Sequence, residues 1–293
     1  MDGKNSRLMF SVEGMVVCIT GGGTGIGKMM TEAFATNGAA KVYIVGRRKE
    51  KLDEAAKVAP DVIVPVVGDV TSKESLLEIA EQIKKDAGFV NLLCVNSGTM
   101  PPSIGVNASE VPVQEFRKKA LEQTTEDWSQ AFATNSSSIF FTSMTFLELL
   151  DAGNKKGNAA GRKSQILVTS SIASFIRNPA TFGVYGASKA AATHLVKHMS
   201  STLVPYSIRV NALAPGLFPS DLAGPLIEKA VAKGKKPEEE GAVSKQNIPA
   251  ERLGCYQDMA GTVLYLASAA GAYVSGNVQV IDGGRLCNLP ATY

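Results

Sequence analysis

The stretch MVVCITGGGTGIGKMMTEAFATNG, residues 15–38, joins three elements with no spacer between them. Met15 to Thr20 is an apolar run of strand length, Gly21 to Gly27 is a glycine-rich turn, and Lys28 onward has a helical pattern that stops at Gly38. Glycines let a backbone approach a phosphate closely, and the free N–H groups and positive end of the following helix face an anion there. The spacing is Thr20-Gly21-x-x-x-Gly25-x-Gly27, not G-x-G-x-x-G. Gly21, Thr24, Gly25, Ile26 and Gly27 are the candidate contacts to a pyrophosphate.

Outward from this unit, strands and helices alternate. Lys41 to Val45 reads as a strand ending in Gly46-Arg47-Arg48. An NAD-binding unit carries a carboxylate at about this distance for the ribose 2′-hydroxyl, whereas a guanidinium suits a 2′-phosphate. Arg47 and Arg48 therefore point to NADP(H); the alternative is a solvated basic turn before a helix over Lys49 to Val58. Val62 to Val67 is the third strand, followed by Gly68-Asp69-Val70. Thr71 or Ser72 caps a helix whose Glu78, Glu81 and Lys84 face outward. Asn91 to Val95 is the fourth strand and ends in Asn96-Ser97-Gly98. This alternation predicts an α/β fold with one doubly wound parallel sheet of about seven strands, helices on both faces, and ligands at the carboxyl ends of the strands. With no composition break, residues 1–293 are read as one Rossmann-like domain.

Thr99 to Thr125 has no clear period and is expected to be a surface loop with a short helix near Val113 to Leu121. Asp127 to Leu150 is expected to be a helix with more apolar circumference than one sheet face requires (Phe132, Ile139, Phe140, Phe141, Met144, Phe146, Leu147, Leu150), which implies a subunit partner. Asp151 to Lys163 reads as a flexible loop. Further on, Gln165 to Val168 is a strand ending at Ser170 and Ser171, and a helical segment carries Tyr185 and Lys189 four apart, on one face. A tyrosine with an ordinary pKa near 10 moves protons poorly at neutral pH unless a cation stabilises its phenolate. Lys189 is placed to do so, with a serine hydroxyl holding a carbonyl oxygen. A helix over Ala190 to Val204, a strand over Ser207 to Ala214, a helix over Gln257 to Ser268 and a strand over Asn277 to Ile281 complete the pattern.

Composition excludes several classes. The net charge of +3 comes from interspersed charges and gives no nucleic-acid or membrane-surface footprint. Cys18, Cys94, Cys255 and Cys287 lack metal-ligand spacing and read as reduced thiols. The opening MDGKNSRLMF has no apolar signal core, and no run long enough to span a bilayer occurs, so a cytoplasmic protein is expected. On that ground the acceptor triplets at Asn107 and Asn135 are not read as glycosylation sites, and neither His194 nor His198 is given a role.

The ordered set Thr20-Gly21-x3-Gly25-x-Gly27, Asp69-Val70, Asn96-x-Gly98, Asn135, Ser171, Tyr185-x3-Lys189, Asn211, Pro215-Gly216 and Asp282-Gly283-Gly284 resembles the short-chain dehydrogenase/reductase superfamily, in its compact single-domain branch, from about Val12 to Gly284. The resemblance implies that Ser171 orients the carbonyl oxygen, that Tyr185 is acid in reduction and base in oxidation, and that Lys189 lowers the Tyr185 pKa and holds the nicotinamide ribose. It implies that Asn135 kinks its helix and holds a water linking Lys189 to solvent. Asp69 and Val70 resemble adenine contacts, and Asn96, beside Gly98, a backbone contact to the adenosine ribose. Pro215, Gly216 and Phe218 resemble the segment that seats the nicotinamide, with Ser220 where a threonine usually follows. Val95-Asn96-Ser97-Gly98 replaces the usual Asn-Asn-Ala-Gly. The gap from serine to Tyr185 is one residue longer than expected, which leaves Ser170 as the alternative hydroxyl.

The resulting expectation is an NADPH-dependent reductase of a bulky, mostly apolar ketone, in secondary or lipid metabolism, without metal, forming a homodimer or homotetramer. Alcohol oxidation by the same chemistry, reduction of an imine or enone, and a non-catalytic NADP-binding regulator are the alternatives. Leu217 to Ala250 is the expected substrate lid. Its apolar half (Leu217, Phe218, Leu222, Leu226, Ile227) should face the substrate, its charged run Lys233 to Gly241 should face water, and Phe175, Ile176 and Phe182 should form the opposite wall.

Overall fold

The structure is a computed structural model that describes residues 6–159 and 161–293. Residues 1–5 of the opening stretch and Ala160 of the 151–163 segment lie outside them.

A single turn, α1 (Ser6–Met9), precedes β1 (Val16–Thr20) and α2 (Gly25–Thr36). The alternation continues through β2 (Lys41–Gly46), α3 (Lys49–Ala56), β3 (Ile63–Val67), α4 (Lys73–Asp86) and β4 (Leu92–Val95). Ser72 caps α4, accepting from the Ser75 N–H at 3.1 Å, and replaces one orphan donor at the helix start. After α5 (Val113–Ala120) come α6 (Thr125–Phe132), α7 (Ser138–Thr145), α8 (Leu147–Lys156) and β5 (Gln165–Thr169). α9 (Val184–Thr202), β6 (Arg209–Pro215), α10 (Gly224–Ala230), α11 (Tyr256–Ala267) and β7 (Val278–Ile281) follow.

All seven strands form one parallel sheet in the order β3-β2-β1-β4-β5-β6-β7. Both faces are covered, so neighbouring residues of a strand are buried on opposite sides. In β1, Val16 and Cys18 pack with Ile79, Ile139 and Val196 from α4, α7 and α9 and with Phe146 at the α7–α8 junction, whereas Val17 and Ile19 pack with Met30, Phe34, Met259 and Val263 from α2 and α11. The chain reverses its direction of winding between β1 and β4, and their carboxyl ends open the crevice where a ligand binds in such sheets.

The expected Asp127–Leu150 helix is not continuous. A π-helical turn, Ala133–Ser137, separates α6 from α7, and Phe146 separates α7 from α8. The π turn buries Asn135, whose side chain is engaged by Thr99 of the neighbouring loop, a contact that no local pattern specifies. The expected flexible loop at 151–163 is helical for its first six residues, because α8 runs to Lys156 and ends at Gly157 in the left-handed region (φ 70°). Ile139, Phe146 and Leu150 belong to the core, while Phe140 (44 % exposed) and Trp128 (39 % exposed) keep an apolar face outward.

Candidate active site

The glycine turn brings two backbones together. A Cβ at Gly27 would overlap the Gly21 carbonyl oxygen and stand 2.6 Å from Asn96 Nδ2. Only glycine permits this approach. Asn96 braces the turn by donating to the carbonyls of Thr20 (3.1 Å) and Gly21 (3.4 Å). Thr31 Oγ1 adds hydrogen bonds at 2.9 Å to the carbonyls of Gly22 and Gly27. Thr24 is the N-cap of α2 but its side chain makes no cap bond, so the first N–H groups of α2 face the crevice without a side-chain acceptor.

At the end of β2, Arg48 reaches back to this turn, with Nη2 donating to Thr24 Oγ1 at 3.5 Å and Nη1 3.7 Å from the Asp221 carboxylate. Arg47 is exposed, and its charge is felt at Asp69. Burial pushes the Asp69 carboxyl up, but hydrogen bonds from the Thr71 N–H (2.9 Å) and hydroxyl (2.7 Å), with Arg47, outweigh it and hold it below its usual value. Val70 is buried. Arg47, Asp69 and Val70 lie outside the walls of the main cavity, whereas Gly21, Thr24, Gly25, Ile26, Gly27, Arg48 and Asn96 are in them.

That cavity, of about 720 Å³, runs from the glycine turn to the ends of β5 and β6. Ser171 begins a short turn, Ile172–Ser174, where its Oγ accepts from the Ala173 N–H at 3.1 Å. The Tyr185 side chain, in the first turn of α9, hydrogen-bonds to that of Ser171. Ser170, the alternative hydroxyl, is turned away, bonded to the Lys189 carbonyl (3.1 Å) and to Thr193 Oγ1 (2.7 Å) inside the core. Adjacent residues at a strand end point to opposite sides, so only one of the two can meet Tyr185.

Lys189 is buried, and its Nζ donates to the Thr169 carbonyl at 2.9 Å. Burial lowers its pKa to about 8. Burial also raises the Tyr185 phenol, with the Ser171 hydrogen bond working against it. In this state burial and Ser171 act on Tyr185, not the Lys189 charge, so the phenol stays protonated at neutral pH. Asn135 Oδ1 accepts from the Thr99 N–H at 2.9 Å, and its Nδ2 donates to the Thr99 carbonyl (3.0 Å) and Ser188 Oγ (3.1 Å). Its side chain thus ties the end of β4 to the turn of α9 that carries Lys189. Gly98 fits between them: a Cβ there would lie 3.3 Å from Asn135 Oδ1 and 3.5 Å from Lys189 Nζ.

After β6, the Gly216 N–H donates to the Ile281 carbonyl at 2.8 Å, and Pro215 and Gly216 border the cavity. Ser220 lies against Gly25, where a Cβ would come within 2.8 Å of its own. Phe218 borders the cavity but is buried, its ring filling the space a side chain at Gly254 would need. Leu217, Leu222 and Leu226 line the cavity, and Lys233 to Lys236 and Glu238 to Gly241 are exposed. Ile227 does not face it; it packs on Val243, Ile248 and Leu253 in a small separate cluster. Phe175 is also elsewhere, in edge contact with Tyr293 at 5.0 Å, because the chain terminus folds back over it. Ile176 and Phe182 are in the wall. Unforeseen wall residues are Met100, Pro101, Pro102 and Val106, from the aperiodic segment after Gly98, and Arg285. A signal was present for the first group, since it follows a strand end at the crevice.

Three described groups of residues accept a nicotinamide dinucleotide: the cradle that a Cβ at Gly27 would fill, the free start of α2, and Arg48 beside Thr24. Among the described residues no cluster could hold a metal ion, and no helix is long and apolar enough to cross a membrane.

Residues 15–230 match the family model for short chain dehydrogenase. The chain is 42 % identical over 287 residues to the short-chain dehydrogenase/reductase PhomF of Diaporthe leptostromiformis, covering 97 % of this chain and 96 % of PhomF. Among solved structures it resembles the RhlG/NADP active-site complex of Pseudomonas aeruginosa (TM-score 0.76, 28 % identity, 94 % and 98 % of the two chains). It also resembles a 7 alpha-hydroxysteroid dehydrogenase complexed with NADH and 7-oxo glycochenodeoxycholic acid (TM-score 0.74, 27 % identity, 96 % and 97 %).

Proposed function

Because the chain belongs to the short-chain dehydrogenase family, we propose that it reduces the ketone of a bulky, mostly apolar small molecule with NADPH, or runs the reverse alcohol oxidation. The observation that carries this is the hydrogen-bonded pair of Ser171 and Tyr185 beside the buried Lys189, in one cavity with the glycine turn. The nucleotide, when bound, supplies or accepts a hydride. Everything else falls to the chain. The Ser171 and Tyr185 hydroxyls converge on one point and grip a carbonyl oxygen there, and Tyr185 gives its proton to that oxygen as negative charge develops. Its phenol, kept protonated by burial, enters the reaction as the acid. Lys189, mostly charged at neutral pH, stabilises the phenolate that is left and orients the ribose hydroxyls of the cofactor. Asn135 positions Lys189 through Ser188 and Thr99 and supports the water by which the proton is replaced.

Arg48, with Arg47 beside it, supports a preference for the 2′-phosphate of NADPH; the two neighbouring structures carry NADP in one case and NADH in the other, so the choice rests on these side chains. Leu217, Leu222, Leu226, Ile176 and Phe182 favour an apolar substrate, since the hydroxyls of a sugar would find no partners there. A steroid ketone in one neighbour is a molecule of this kind. The exposed apolar face at Trp128 and Phe140 is read as a subunit contact in a homodimer or homotetramer, and the protein as cytoplasmic.

The test is consumption of NADPH against a panel of bulky and small ketones, with Tyr185→Phe as control. Loss of the general acid should lower kcat/KM by roughly 10²–10⁴. Unchanged turnover in Tyr185→Phe, or a wild-type preference for small polar ketones, refutes the reading.

A further inference from the structure

Arg285 is a cation in the cavity wall with nothing to hold. It opens a short turn, Arg285–Asn288, immediately after β7 and Asp282-Gly283-Gly284. Its Nε is sealed from solvent and has no hydrogen-bond partner. The Nε atoms of Arg162 and Arg209 are likewise sealed and unpartnered, but these arginines are held through their Nη atoms: Arg209 donates to Gln165 and to the carbonyls of Gly271 and Val274, and Arg162 donates to the Ser11 carbonyl, while Arg252 forks onto Asp258 (2.6 and 3.0 Å). The carboxylate nearest in sequence, Asp282, spends its oxygens on the N–H groups of Gly284 (2.9 Å) and Leu286 (2.8 Å). Among the described residues no ion pair involves Arg285. Burial lowers its pKa, with Asp282 acting weakly against that. A charge withdrawn from water without a counter-ion is unfavourable, and an apolar pocket tolerates one where a ligand supplies the partner.

Its place decides which ligand. β7 is four strands from β1 in the sheet, about 19 Å at the usual strand spacing, so Arg285 stands far from the glycine turn and the phosphates it would hold. Asp282 backs directly onto Gly216, and the chain beyond Arg285 runs to Ala291, which bridges to Ile176, while the Arg177 N–H donates to the Pro290 carbonyl at 2.7 Å. Arg285 therefore sits on the segment that joins the Gly216–Leu217 wall to the Ile176 wall, at the substrate end. The other charges bordering the cavity are committed or peripheral: Arg48 pairs with Asp221, Lys189 donates to Thr169, and Glu110 and Lys229 are exposed. Arg285 is partly buried, and among the described residues no second unpaired cation that is not exposed borders the cavity; a single planar guanidinium of this kind matches a monoanion with two parallel oxygens.

We propose that Arg285 binds a carboxylate of the substrate, so that this site takes apolar keto acids in preference to neutral ketones. This rests on the ketone-reductase reading above and adds a recognition group to it; Arg285 touches the substrate away from the reacting carbon.

The test uses the NADP⁺-loaded protein titrated calorimetrically with 4′-acetylbiphenyl-4-carboxylate and with its methyl ester. The acid should bind at least ten-fold more tightly than the ester. Arg285→Met should reduce the difference to within two-fold, and Arg285→Lys, which keeps the charge but loses the fork, should leave an intermediate one. Affinity for NADPH should be unchanged in both. Arg285→Met should melt no lower than the wild type, since no protein partner is lost; if it fails to fold, Arg285→Lys decides. Equal binding of acid and ester, no measurable binding of the acid, or a loss of NADPH affinity in the variants overturns the proposal. Failure to reduce either compound, with the acid preference present and lost in Arg285→Met, would refute the reductase reading and leave the carboxylate site standing. Equal reduction of both compounds would do the reverse.

Discussion

Gly27→Ala probes the nucleotide cradle at its tightest point. The added methyl would overlap the Gly21 carbonyl and stand 2.6 Å from Asn96 Nδ2 and 2.8 Å from the Gly21 carbonyl carbon. None of these atoms is the free end of a flexible side chain: Gly21 is held by the hydrogen bond of its N–H to Val45 (2.7 Å), and Asn96 by its bonds to Thr20 and Gly21. The turn must therefore move outward, which costs about 1–3 kcal/mol as overpacking. The N–H groups that face the pyrophosphate move with it, and the loss of one charge-assisted hydrogen bond, about 1.5–3 kcal/mol, weakens binding roughly 10- to 150-fold. Calorimetric titration with NADPH, alongside a thermal melt, reads both effects. Gly261→Ala is the control: beyond its chain neighbours and its own helix backbone, nothing lies within 4 Å of a Cβ there, in the middle of α11, so it should bind NADPH as the wild type does and gain about 0.5–1 kcal/mol of stability. If Gly27→Ala binds NADPH as tightly as the wild type, the cradle does not hold the phosphates.

Replacing both Arg47 and Arg48 by Ala should weaken NADPH by about 1–3 kcal/mol while leaving NADH nearly unchanged; equal losses for the two nucleotides would disprove recognition of the 2′-phosphate. Lys189→Met should show a pH signature in stability. The folded pKa of Lys189, about 8, lies below its unfolded value near 10.5, so the native state loses this proton first and wild-type stability rises as pH climbs from 8 to 10.5. The melting temperature of the wild type should therefore gain on that of Lys189→Met across this window, and a constant difference would refute it. Phe140→Glu, on the face with Trp128, should shift the assembly toward monomer in light scattering at micromolar concentration. An unchanged mass would refute that interface.

Elements whose signal is local were legible from the chain alone. β1, the glycine turn and α2 are contiguous, and Tyr185 and Lys189 share a helix face by spacing, so their chemistry could be named without distant contacts. The parallel sheet followed from alternation, because strands covered on both faces read as nearly continuous apolar runs and connections between them must cross over. Other features depended on contacts between residues far apart in sequence. Asn135 sits in a π turn because Thr99 and Ser188 hold its amide, and Ser171 rather than Ser170 meets Tyr185 because of how β5 ends against α9. Phe175 lies away from the cavity because the carboxyl terminus returns over it, 118 residues away at Tyr293, and Ile227 because residues 217–253 form a small core of their own. The same return placed Arg285, which follows a family-like Asp-Gly-Gly with no periodicity of its own, in the wall of the cavity. Short, contiguous motifs are written locally; the walls of the cavity are assembled from aperiodic segments whose neighbours only the tertiary fold supplies.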